Sequence, residues 1–196
     1  MNRLKMSVVA VSALVAGALP LVAQTVRQGG GPSPHETINA KIGGQRGPMV
    51  MVVYGRPYAK AAVNNVPNTG AKRKVWGELV PYGKVWRAGS DEATLFITQQ
   101  PLTFGTVEVP AGAYTLAMQP EADGTAKLII NKQIGQWGIP YNGEKTELGR
   151  IAMKKDAVDK EVEQFTIAIE SKGTDTGVLK MIWENTQYSV EFKLKK

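Results

Sequence analysis

The pattern of apolar and polar positions is clearest at the end of the chain. Phe165, Ile167 and Ile169 alternate with other residues, as do Leu179, Met181 and Trp183, and then Tyr188, Val190, Phe192 and Leu194. Ser189, Glu191 and Lys193 face the other way. A period of two is that of a strand, and one dry and one wet face is typical of antiparallel sheet. Ile38, Ala40 and Ile42 repeat the pattern near the start. Residues 49–54 are a continuous apolar run, which predicts a strand buried on both faces. Short strands are predicted at 102–104 and 107–109, around Gly105. Tyr114, Leu116 and Met118 alternate after the turn Pro110-Ala111-Gly112, and Asp123-Gly124 predicts a hairpin into residues 127–131. Residues 150–153 form a weak strand, and the highly charged residues 154–163 read as one helical turn. There is no amphipathic helix of ordinary length. Many short strands with tight turns predict an all-β fold with little helix, an antiparallel β-sandwich, with a β-barrel as the runner-up.

Residues 79–97, LVPYGKVWRAGSDEATLFI, hold the densest chemistry. Pro81-Tyr82-Gly83 and residues 88–91 are turn clusters, which leaves 84–87 and 92–98 as strands. A four-residue loop sets Arg87 opposite Glu92 and Trp86 opposite Ala93. Trp86, Ala93 and Leu95 then share a core face. Arg87 and Glu92 form a cross-strand ion pair on the other, worth roughly 0.2–1 kcal/mol. Two readings stay open. One is a structural clasp. The other is an Arg and a Lys at a pocket rim, gripping a carboxylate, phosphate or sugar hydroxyl, a task suited to the planar guanidinium fork.

The segments SPHETINAKIG, VVYGRPYAK, ELVPYGKVWRAGSDEATLF, VPAGAYTLAMQP and INKQIGQWG resemble a secreted bacterial family catalogued as domain of unknown function twenty-nine eleven. The resemblance covers nearly the whole chain after the leader. YGKVWR…EAT is its most specific part, and the main departure is a longer stretch between residues 59 and 73. The resemblance implies an exported, mainly β domain and carries over no catalytic residue.

The start of the chain bears on location. A short basic opening is followed by an apolar run at 6–22, rich in Ala and Val, with Pro20 near its end. That is the arrangement of a secretory signal peptide, here residues 1–23, and the alternative is a retained anchor. Residues 24–34 hold Gly29-Gly30-Gly31-Pro32 and Ser33-Pro34 and read as a flexible tether. One β domain is expected over 35–196, secreted or periplasmic, with no transmembrane segment once the leader is removed.

Composition narrows the chemistry. The formal charge is +7, and +5 without Arg3 and Lys5 of the leader. A basic surface favours acidic partners. The cations are scattered, however, apart from Lys72-Arg73-Lys74, and no nucleic-acid motif is present, so no nucleic acid is expected. Cysteine is absent, which excludes disulfides, a thiol nucleophile, a lipidated cysteine and thiolate metal sites. The single histidine, His35, stands beside the tether and is the one candidate for a Ser-His-Asp site. With one histidine no ordinary zinc spacing exists, and no calcium loop pattern is present; no metal and no cofactor are expected. Glycoside hydrolysis needs two facing carboxyls, for which Glu78, Asp91 and Glu92 are the candidates. Trp76, Trp137, Tyr58, Tyr82 and Tyr141 lie in or near loops, where an aromatic can stack on a sugar. Residues 55–73 are the longest irregular segment, a length that is often functional or mobile.

These features lead to a non-catalytic binding or scaffolding module for a polar or anionic envelope ligand, such as a glycan, a small carboxylate or an envelope protein. The expected ligand-binding residues are Arg56, Tyr58, Lys84, Arg87, Glu92 and Trp137. The alternatives are a carboxylate-dependent glycan hydrolase and a structural subunit of an envelope assembly.

Overall fold

The computed structural model describes residues 32–195. The expected signal peptide, and the tether apart from residues 32–34, lie outside the described residues. The strands are β1 (His35–Lys41), β2 (Met49–Gly55), β3 (Ser90–Thr98), β4 (Leu102–Phe104), β5 (Val107–Val109), β6 (Gly112–Pro120), β7 (Ala126–Asn131), β8 (Glu147–Lys172) and β9 (Thr176–Leu194). A single 3-10 turn, Glu144–Thr146, is the only helical element among the described residues. The strands form one open antiparallel sheet in the order β1-β2-β3-β6-β7-β8-β9-β4-β5. It is not closed into a barrel.

The sheet folds back on itself through β8. Residues 147–153 of this strand pair with β7, whereas residues 166–172 pair with the start of β9. Between them the register slips twice, at Ala157/Val162 and Val162/Thr166, and Glu184 of β9 takes a left-handed φ of 52°. Extra residues on one strand of a ladder bend it and increase its twist. Two layers result, and the apolar faces meet between them. Tyr54 of β2 meets Phe165 of β8 edge-on at 5.9 Å, and Phe96 of β3 meets Phe104 of β4 at 6.2 Å. Phe104 also packs on Phe192 of β9 at 5.1 Å. The alternating residues of the chain's end enter this core: Phe165, Leu179, Met181, Trp183 and Phe192 are all buried.

Three local expectations are corrected. Residues 154–163 are strand, because pairing with β9 and the bend of β8 outweigh a local helical tendency. In β2 the residues alternate: Val50, Val52 and Tyr54 are fully buried, while Met51 and Val53 are half-buried, since no layer covers the outer face. The segment 84–87 is not a strand paired with 92–98. Trp86 instead bridges Met118 of β6, with N–H···O bonds of 2.7 Å in both directions. Ala88 and Asp91 take left-handed φ values of 52° and 64°, so the chain twists through this segment rather than making a simple four-residue reversal.

Candidate functional site

A cleft of about 220 Å³ opens where the two layers end and two loops rise. Trp86, 6% exposed, and the fully buried Trp183 line it, with their rings stacked at 5.9 Å. One loop, residues 56–73, contributes Tyr58, Lys60, Asn68 and Arg73. The other, residues 132–143, contributes Ile139, and the twisted segment after Trp86 contributes Arg87 and Ser90.

The first loop is ordered by its backbone. The Ala59 N–H donates to the Glu163 carbonyl at 2.8 Å, and the Phe165 N–H to the Pro57 carbonyl at 2.9 Å. Higher up, Lys60 bridges Lys72, and Val63 and Val66 exchange N–H···O bonds of 3.2 and 2.9 Å. Asn64 and Asn65 between them have φ of 52° and 61°, the signature of a two-residue type I′ turn. The expected long irregular loop is therefore a small hairpin standing on the second layer.

The second loop is held by Asn131, 1% exposed at the end of β7. Its Nδ2 donates to the Gly143 carbonyl at 2.8 Å and to the Tyr141 hydroxyl at 2.9 Å. Its Oδ1 accepts from the Gln133 N–H at 2.8 Å and the Thr146 hydroxyl at 2.7 Å. A buried amide with all four valences met is a strong positional constraint. Tyr141 passes the connection on, donating to Glu147 at 2.8 Å, and burial pushes its hydroxyl up to about 12.

Arg87 lies at the junction of both loops. Its Nε donates to the Gly89 carbonyl at 3.4 Å and its Nη1 to the Trp137 carbonyl at 3.2 Å. The guanidinium sits over the Trp137 ring, 4.9 Å from the centroid. Burial pushes it below the ordinary arginine range, and the charges of Asp91 and Glu92 offset this only in part. The expected Arg87–Glu92 ion pair does not form. Glu92 instead accepts from His35 Nε2 at 3.0 Å. His35 and Glu92 are tied across β2, whose Gly55 stands opposite both His35 and Ser90.

The six sequence-predicted residues thus part company. Tyr58 and Arg87 line the cleft and Trp137 covers Arg87. Arg56 is a clasp between layers: Nη1 meets Glu36 at 3.0 Å, Nε the Phe165 carbonyl at 3.1 Å, and Nη2 the Thr166 hydroxyl at 2.8 Å. Glu92 faces His35, and Lys84 is exposed in a turn that does not line the cleft. Lys60, Arg73, Asn68 and Ser90 line it without having been expected. One signal for two of them was in the sequence: residues 56–73 contain no acid. Of the carboxylate candidates, Glu78, Asp91 and Glu92 are all absent from the lining. Among the described residues no three His, Asp or Glu side chains gather as a metal set.

The cleft is therefore basic. Lys60, Arg73 and Arg87 line it, with no Asp or Glu among its described lining residues. Arg73 Nε donates to the Ala59 carbonyl at 3.4 Å and Nη2 to the Tyr58 carbonyl at 2.5 Å. None of the three cations has a carboxylate partner among the described residues, and Nη2 of Arg87 and Nη1 of Arg73 make no hydrogen bond there. The Ser90 hydroxyl and Asn68 Oδ1 are buried at the same cleft and have no hydrogen-bond partner among the described residues. No curated protein and no solved structure matches the chain. The family model described as "Protein of unknown function (DUF2911)" matches residues 33–192, from the first strand into the last, and the chain belongs to that family.

Proposed function

We propose that the protein is an exported, non-catalytic binding module whose cleft takes an oxyanion-bearing ligand of the cell envelope, such as the carboxylate of an acidic sugar or a phosphate ester. One observation carries this reading: three cations without a carboxylate partner border a cleft whose described lining contains no acid. Unused guanidinium N–H groups at a half-dry surface favour a bidentate oxyanion, because charge-assisted bonds are about twice as strong as neutral ones. Ser90 and Asn68 offer a hydroxyl and an amide with unmet valences for the rest of a polyhydroxylated ligand. A hydrolase acting here would need a carboxyl pair that the lining residues do not supply.

The test is a thermal-shift titration of the purified protein with glucuronate and inorganic phosphate, with glucose as the neutral control. A ligand that binds only the folded state raises the melting temperature. Both anions are expected to do so and glucose is not. Lys60→Ala, which removes an exposed ammonium, weakens binding about tenfold or more, while Lys84→Ala outside the cleft leaves it unchanged. No shift with either anion, in a protein that melts cooperatively, overturns the reading.

A further inference from the structure

Six large apolar side chains are markedly exposed among the described residues: Val63, Val66, Tyr82, Ile134, Trp137 and Ile139. All but Tyr82 belong to the two loops that border the basic cleft. Each of the five is about half exposed, from 48% for Ile139 to 53% for Val66. They are not loose ends. Val63 and Val66 flank a closed type I′ turn, and the loop bearing Trp137 and Ile139 is pinned at its base by Asn131. The two loops also share a composition. Residues 56–73 and 132–143 contain no Asp or Glu; of their cations, Arg56 is paired with Glu36 and Lys72 with Glu161 and Glu184, which leaves Lys60, Arg73 and Lys132 without a carboxylate partner among the described residues. Rigid apolar tips interleaved with cations and free of acid are poorly suited to a protein interface, whose buried core is depleted of charge. They suit the boundary between anionic headgroups and acyl chains, where Trp is enriched and Lys and Arg meet phosphate.

We propose that these two loops dock the protein on an anionic lipid bilayer, with Val63, Val66, Trp137 and Ile139 entering the interface and a headgroup phosphate held in the cleft by Arg87, Arg73 and Lys60. This rests on the anion-binding reading and names the bilayer as the source of the anion. No helix among the described residues is long and apolar enough to cross a membrane, and the proposed contact is the one made by the two loops.

Co-sedimentation with vesicles tests it. One set contains phosphatidylglycerol and phosphatidylcholine, the other phosphatidylcholine alone. Binding is expected to the first set only, and to fall as salt is raised from about 0.1 to about 0.5 M, because the Debye length shortens over that range. A Val63→Ser, Val66→Ser, Ile139→Ser triple variant, altered only at exposed positions, is expected to bind at least tenfold more weakly. Lipids brominated on the acyl chain should quench wild-type fluorescence, and Trp137→Phe should lose most of that quenching, because Trp86 and Trp183 are buried and Trp76, outside both loops, is partly buried and packed on Tyr188. Absence of vesicle binding by the folded wild type overturns the proposal, as does a triple variant that binds like wild type. If glucuronate or free phosphate still raises the melting temperature in either case, the anion site survives without the membrane. If neither does, both readings fall together.

Discussion

Replacing Tyr54 by Phe removes one oxygen and tests what joins the layers. Tyr54 is 1% exposed, and its hydroxyl has two roles. It accepts from the Ile167 N–H of β8 at 2.9 Å and donates to Glu36 of β1 at 3.0 Å. The phenylalanine ring keeps the edge-on contact with Phe165. What is lost is the acceptor for a buried backbone N–H, which costs about 1–3 kcal/mol when left unmet. Glu36 loses little, because it is partly exposed and keeps Arg56. A loss near ~2 kcal/mol lowers the melting temperature of a domain this size by about 4–8 °C. Urea unfolding followed by the fluorescence of the buried tryptophans reads it as a lower midpoint with unchanged slope. There is also an alkaline signature. Burial pushes the Tyr54 hydroxyl up to about 12 from its ordinary 10.0, so the folded state favours the neutral phenol. That contribution is fully present below pH 10 and is lost as pH rises from 10 towards 12. Tyr54→Phe should therefore show a shallower loss of stability across that window, the remainder coming from Tyr114, Tyr141 and Tyr188, whose hydroxyls burial raises likewise, and from Lys72 beside Glu161. A variant as stable as wild type within about 0.3 kcal/mol, with the same alkaline slope, refutes the rivet between β2 and β8.

Two further substitutions separate mechanisms that burial alone does not. Gly177→Ala places a Cβ 2.2 Å from Cζ of Phe192, a ring already packed on Phe104, and should cost about 2–3 kcal/mol in urea unfolding; Gly173→Ala, in open space but at a φ of +62°, should cost only about 1 kcal/mol. Arg56→Lys keeps the charge beside Glu36 but cannot reach the Phe165 carbonyl and Thr166 hydroxyl together, so it should lose about 1–3 kcal/mol while leaving anion titrations of the folded protein unchanged.

What could be read from the sequence was what depends on one face of one strand. The alternation from Phe165 to Leu194 locates the core side of β8 and β9, and Asp123-Gly124 marks the β6–β7 hairpin. What could not be read depends on partners far along the chain. Local turn chemistry sets Trp86 opposite Ala93, whereas its partner is Met118 on β6, and nothing local announces that bridge. Residues 154–163 look helical because they are charged and contain good helix formers; β9, more than twenty residues later, decides otherwise. Arg87 and Glu92 are opposite in charge and close in sequence, yet His35 reaches Glu92 from two strands away. The hairpin at 63–66 was legible, since Asn-Asn between two valines is a type I′ cue. It was hidden by the length of the segment around it.

The arginines show why charge near a strand end is not enough to define a site. Arg56 is satisfied twice over: its donors are used and Glu36 balances its charge. A guanidinium in that state has nothing left to offer a ligand, and its removal is a stability effect. Arg73 and Arg87 are satisfied only as donors. Their N–H groups hold carbonyls, which fixes their direction, but a carbonyl carries no net charge to balance theirs. Partial burial of a charge is unfavourable, and burial lowers the Arg87 pKa although the charges of Asp91 and Glu92 partly offset it. The proposed oxyanion would remove that penalty without reorganising the residues that receive it, because Trp137, Gly89 and Tyr58 already hold both forks in place. The fold alone thus fixes the direction of these cations, and the same two loops that aim them carry the exposed apolar tips.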